Sequence, residues 1–120
     1  MKIALTSDTV TTSGNNVEFV LGDNGGAFVS LNLMIKQNGN ILYQINHDQT
    51  YQGSRTQNVP LQPGNYRCSL LIAAYKHGAL GITYDSFLQV SKINVATAKG
   101  EISTGDDPDF NSVSFQLIVV

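Results

Sequence analysis

The chain has 120 residues, 42% of them hydrophobic and only 13% charged, with a net charge of −2. This length suits one domain spanning 1–120, and the seven basic residues, scattered from Lys2 to Lys99, form no stripe that would neutralise a run of phosphates, so nucleic acid is not an expected partner. Asn, Gln, Ser and Thr make up 38 of the 120 residues; their side chains compete for nearby backbone hydrogen bonds and disfavour a helical bundle.

The apolar segments alternate with period two, as half-buried strands do. In chain order, the turn clusters Ser13-Gly14-Asn15-Asn16 and Gly22-Asp23-Asn24-Gly25-Gly26 bound a first apolar segment. Val29, Leu31, Leu33 and Ile35 then form one strand face, and Ile41, Tyr43 and Ile45 form the next. Between these two, a loop of Asn38 to Asn40 pairs Ile35 with Tyr43 and Leu33 with Ile45, so the pattern predicts an odd loop with Asn40 in the left-handed region. Lys36 opposite Ile41 would exclude that register.

From Tyr66 to Tyr75, apolar residues fall on both faces, Cys68, Leu70, Ile72 and Ala74 on one, Leu71, Ala73 and Tyr75 on the other. A central strand with its second face also covered is expected. A turn at His77 to Gly81 brings back a strand carrying Ile82, Tyr84, Leu88 and Val90, so that Tyr75-Lys76-His77 faces Thr83-Tyr84-Asp85 across a hairpin. Ile93 and Val95 continue in the opposite phase, which predicts a bulge or a sheet-switching corner near Ser91-Lys92. Val113, Phe115, Leu117 and Val119 form the last strand. So many short strands between turns predict an all-β antiparallel sandwich of seven to nine strands, immunoglobulin-like or jelly-roll-like.

Leu61-Gln62-Pro63-Gly64-Asn65-Tyr66-Arg67-Cys68 resembles the start of the sixth strand of immunoglobulin-like sandwiches, which ends Gly-x-Tyr-x-Cys. The resemblance implies a sandwich in which the Tyr66 hydroxyl bonds back to the preceding corner. The chain departs from it in three ways: it has no second Cys, no Trp, and about fifty residues after Tyr66 where the family has two strands.

No stretch approaches the ~20 apolar residues of a membrane span, and no apolar secretory signal is read at residues 1–10. Cys68 has no disulfide partner in the chain, and a free thiol suits the cytoplasm or signal-independent export. For chemistry, Asp106, Asp107 and Asp109, with Asp23-Asn24 in another loop, offer hard oxygen ligands for calcium, the one cofactor considered. His47, Tyr51 and Arg55, in the polar stretch after the hairpin, combine the ring and polar groups that sugar and peptide sites use. Tyr75, His77 and Tyr84 make a second candidate surface at a hairpin tip.

Catalysis has little behind it. His47 and Asp48 point to opposite faces of an extended chain, no Gly-x-Ser-x-Gly elbow accompanies His77 and Asp85, and Cys68 sits in an apolar strand. The expected function is a non-enzymatic module binding a glycan or a protein through its loops. The alternative is a structural subunit whose apolar sheet face, with Leu71, Ala73, Tyr75, Ile118 and Val120, assembles a homo-oligomer. A bacterial exported antigen or toxin-associated protein is a third expectation that no motif tests.

Overall fold

The alternation read from the sequence resolves into two sheets that share one apolar interior. A computed structural model describes residues 1–48, 53–76, 82–102 and 108–120. Its strands are β1 (Ala4–Leu5), β2 (Thr9–Thr12), β3 (Asn16–Asp23), β4 (Phe28–Gln37), β5 (Asn40–His47), β6 (Gly53–Pro60), β7 (Gly64–Tyr75), β8 (Thr83–Val90), β9 (Ile93–Glu101) and β10 (Asp109–Val119). The first sheet runs β1-β9-β8-β3-β6 and the second β2-β10-β7-β4-β5. All pairings are antiparallel except β2 with β10. The β-sandwich is as expected. It has ten strands because β1 and β2 add two segments of two and four residues, one to each sheet, too short to carry a period.

The interior holds most of the alternating residues picked out by pattern on β4, β7, β8 and β10, joined by those of β3, whereas Ile41, Tyr43, Ile82 and Ile93, read onto the same faces, are exposed at strand ends or sheet edges. Val17, Phe19 and Leu21 of β3, with Leu88 of the neighbouring β8, face Leu31, Leu33 and Ile35 of β4, Cys68, Leu70 and Ile72 of β7, and Phe115 and Leu117 of β10, all at most 1% exposed. Burying each of the larger side chains stabilises the fold by about 2 kcal/mol before chain entropy is counted.

At four places the structure departs from the sequence reading. The β4–β5 turn has two residues, Asn38 (φ 53°) and Gly39 (φ 80°), with Gln37 opposite Asn40 and Lys36 opposite Ile41. The expected three-residue loop, its register beside the turn and the left-handed Asn40 are therefore wrong. Leu33 still meets Ile45 and Ile35 still meets Tyr43, because a bulge beside Ile35/Lys36 leaves Leu42 without an opposite residue and absorbs the slip. Both signals were real: the Asn-Gly turn forms, and the core pairs keep their register.

The phase change at Ser91-Lys92 is a hairpin turn rather than a bend between sheets, with both residues left-handed (φ 50° and 67°) and Val90 opposite Ile93. A bulge beside it buries both Val95 and Ala96. Third, β7 and β8 are not a hairpin. They belong to different sheets, so Tyr75 lies opposite Phe28 and Tyr84 opposite Gly100. Fourth, no helix or strand among the described residues covers the outer face of β7, where Leu71 is 42% exposed.

Candidate functional site

The strand directions bring the ends of most elements named above to one end of the sandwich. Asp23 closes β3 opposite Gly53 and Ser86, Phe28 opens β4 opposite Tyr75, His47 closes β5 opposite Leu31, and Asp109 opens β10 opposite Ala74. Tyr51, His77, Asp106 and Asp107 lie outside the described residues. The described candidates, His47, Arg55, Tyr75, Tyr84 and Asp109, belong to five different strands at this end.

Their roles differ. His47 is 2% exposed, so its ring belongs to the interior, while its neighbour Asp48 is exposed, the opposite-face arrangement expected of an extended chain. Arg55 is exposed and closes the gap between two sheet edges: Nη1 donates to the Asn46 carbonyl of β5 at 3.0 Å, and Nη2 to Gln57 Oε1 at 3.5 Å. Tyr75 is half-buried on the outer face of the second sheet.

Tyr84 is buried on β8, and its hydroxyl donates to Asp109 Oδ2 at 2.9 Å, joining the two sheets. Burial, then the hydrogen bond and negative charge of Asp109, push the Tyr84 hydroxyl up to about 12. Glycine at position 100 makes room for this ring, since a Cβ there would lie 2.7 Å from the hydroxyl oxygen. The other Asp109 oxygen pairs with the Met1 ammonium. Of the three acids read as calcium ligands, the described one thus meets protein donors at both oxygens.

Asp23 does structural work that the sequence did not reveal. Its Oδ1 accepts from the Asp85 amide at 2.7 Å and the Ser86 hydroxyl at 2.9 Å, and its Oδ2 accepts from the Gly25 amide at 3.0 Å. Asn24 and Ala27 also donate backbone bonds to the Asp85 and Thr83 carbonyls, so the β3–β4 connection is strapped to β8. Among the described residues no group of three or more His, Cys, Asp or Glu is placed to hold a metal ion.

The outer face of the second sheet, read from the sequence as apolar at Leu71, Ala73, Tyr75, Ile118 and Val120, is a mixture of apolar and polar residues, with Ala73 buried. Across its strands Phe28 lies beside Tyr75, Ser30 beside Ala73 and Phe110, Asn46 beside Asn32, Leu71 and Ser112, and Gln44 beside Met34, Ser69 and Ser114. Asn32 and Asn46 hydrogen-bond one another, and Phe110 is 61% exposed. These residues are uncharged, but the exposed Asp48 lies beside Ser30, Asn32 and Asn46, and Lys36 and Arg67 lie in the next row, toward the far end. The first sheet's outer face carries Glu18, Asp85, Lys99 and Glu101. A cross-strand map of charge would have exposed this asymmetry, but it needs the register.

A depression of about 530 Å³ lies at the far end, between the β4–β5 turn and Asn65, Tyr66, Arg67 and Gln116. It contains none of the candidate residues. Comparison with known proteins found no matching family model, no matching curated protein and no matching solved structure.

Proposed function

We propose that the chain is a non-enzymatic immunoglobulin-like module that recognises a glycan or a protein surface through the loop-bearing end of its sandwich. The observation that carries this reading is the convergence of strand ends: the ends of five strands meet at one end, where Arg55 is exposed and Tyr75 half-buried while His47, Tyr84 and Asp109 hold the frame, beside the strapped connection after Asp23. A rigid double sheet that presents several connections together is the usual platform for recognition.

The family resemblance has two supports. The Tyr66 hydroxyl donates to the Gln62 carbonyl at 2.6 Å, the corner bond that the family's tyrosine makes. The orders β10-β7-β4-β5 and β3-β6 correspond to the family's G-F-C-C′ and B-E neighbours, with the β8–β9 hairpin as an insertion between β3 and β1.

The test is a glycan array and a panel of immobilised proteins, each probed with and without calcium. Tyr51→Ala, Arg55→Ala, Tyr75→Ala and Asp107→Ala are expected to weaken binding. Binding that survives all four and is lost in Arg67→Ala, at the far end, would sink the reading. A melting temperature raised by calcium in the native chain and not in Asp107→Ala would mark the acidic loop as a calcium site, since a ligand of the folded state alone stabilises it.

A further inference from the structure

We propose that Phe87, on the outer face of the first sheet, is the stacking platform of a binding site for one neutral sugar unit. The site shares no residue with the loop-end reading and does not rest on it.

Its floor is a glycine. Gly22 on β3 lies opposite Phe87 on β8, and a Cβ at Gly22 would meet Phe87 Cζ at 2.7 Å. Opposed Cβ positions in an antiparallel pair are about 5 Å apart, so an upright ring would hold its tip about 6 Å from that point. The ring is therefore laid across β3, over the bare backbone of Gly22. The other positions of this row are Thr97 on β9 and Ser54 on β6, both exposed and small, so no tall side chain in the row stands over the half-buried ring.

A depression of about 250 Å³ opens beside Phe87, lined also by Asn24, Asp85, Gln89, Asn94 and Thr97. Among the described residues the Asp85 carboxylate makes no ion pair or hydrogen bond. The Asp85 backbone is the part that is held: its amide donates to Asp23 Oδ1 at 2.7 Å, and its carbonyl accepts from the Asn24 amide at 2.9 Å. These bonds fix Asn24 and Asp85 before a ligand arrives, so binding does not have to order them. Gln89 Nε2 donates to Asn94 Oδ1 at 3.1 Å, which leaves the Gln89 oxygen as an acceptor and the Asn94 nitrogen as a donor for a ligand.

The chemistry selects the ligand. A sugar ring has an apolar C–H face that stacks on an aromatic ring and a rim of hydroxyls that donate and accept. A carboxylate, amides and a hydroxyl set around Phe87 match that rim. Asp85, which lines the depression, repels an acidic sugar, and Lys99, opposite it on β9, offsets its attraction for a cation. The depression is shallow and holds a single sugar unit, so the dissociation constant is of order millimolar.

An NMR titration of the isotope-labelled chain with neutral gluco-, manno- and galacto-oligosaccharides tests this, with an oligogalacturonate as the acidic counterpart. At least one neutral series is expected to bind and to shift the amide signals of Phe87, Gln89 and Thr97. Phe87→Ala should weaken that binding about tenfold, and Phe87→Tyr, which keeps the ring, should hold it within about twofold. Asp85→Ala should also weaken it about tenfold; it leaves the backbone bonds to Asp23 and Asn24 in place and decides the matter if Phe87→Ala impairs folding. Arg55→Ala and Tyr75→Ala, at the loop-bearing end, should change nothing. No binding of any neutral series at ten times the expected dissociation constant overturns the proposal. Binding lost in Arg55→Ala and Tyr75→Ala but kept in Phe87→Ala overturns it too, and is the outcome that the loop-end reading expects. Tighter binding of the oligogalacturonate, or capture of an unglycosylated protein that depends on Phe87 while no neutral sugar binds, overturns the neutral sugar as the occupant.

Discussion

Replacing Asp23 with alanine removes one acceptor group and strands three donors. The Ser86 hydroxyl is fully buried, and the amides of Asp85 and Gly25 are directed at the carboxylate that would be lost. A hydrogen bond to a charged partner contributes about 1.5–3 kcal/mol, and a buried donor left unsatisfied costs about 1–3 kcal/mol. Because the three bonds share one carboxylate their losses do not add, and Asp23→Ala is expected to cost about 3–4 kcal/mol. Asn at this position retains an oxygen for Asp85 and Ser86 but turns an amide donor toward the Gly25 N–H, and should cost about 1–2 kcal/mol. Ser86→Ala removes one donor together with its need for a partner, and should cost about 1 kcal/mol. Urea unfolding of the three variants, with unchanged m-values, gives the order Ser86→Ala, Asp23→Asn, Asp23→Ala in increasing cost. A loss below about 1 kcal/mol for Asp23→Ala would refute the claim that this carboxylate straps the β3–β4 connection to β8.

Tyr84 favours its protonated form in the fold, with a pKa of about 12 against the usual 10.0, so its contribution is fully present below pH 10 and is lost as pH rises from 10 to 12. Tyr84→Phe should remove a tyrosinate step near pH 12 in an absorbance titration, soften the alkaline loss of stability, and cost about 1–2 kcal/mol at neutral pH. Lys92 occupies a left-handed conformation that glycine adopts without strain, so Lys92→Gly should raise stability by about 1 kcal/mol in urea unfolding. Ser91→Gly should gain less, because it also removes the 2.6 Å contact with the Thr12 hydroxyl. Burial, against the opposing charge of Arg67, pushes the Cys68 thiol up to about 12, so an aromatic disulfide reagent at pH 8 should label it only at the rate of unfolding.

The sequence was most informative where one residue and its neighbours along the strand decide the outcome. Alternation located the interior faces of β4, β7 and β10, and the Asn-Gly and Pro-Gly clusters located turns. It was least informative where the partner is distant in the chain. The Ser91-Lys92 turn lacks the glycine that signals positive φ, so the pattern points to a bulge or a corner and only the bulge, beside Val95, is present along with the hairpin. The β7–β8 crossover looked like a hairpin because two apolar strands flank a Gly-rich stretch, and nothing local distinguishes a return within a sheet from a crossing between sheets. The site shows the same division. Asp23 followed by Gly25 marks a turn locally, but its buried bonds to Asp85 and Ser86 depend on β3 lying beside β8. The row of Asn46, Asn32, Leu71 and Ser112 on the outer face likewise exists only once β5, β4, β7 and β10 are aligned.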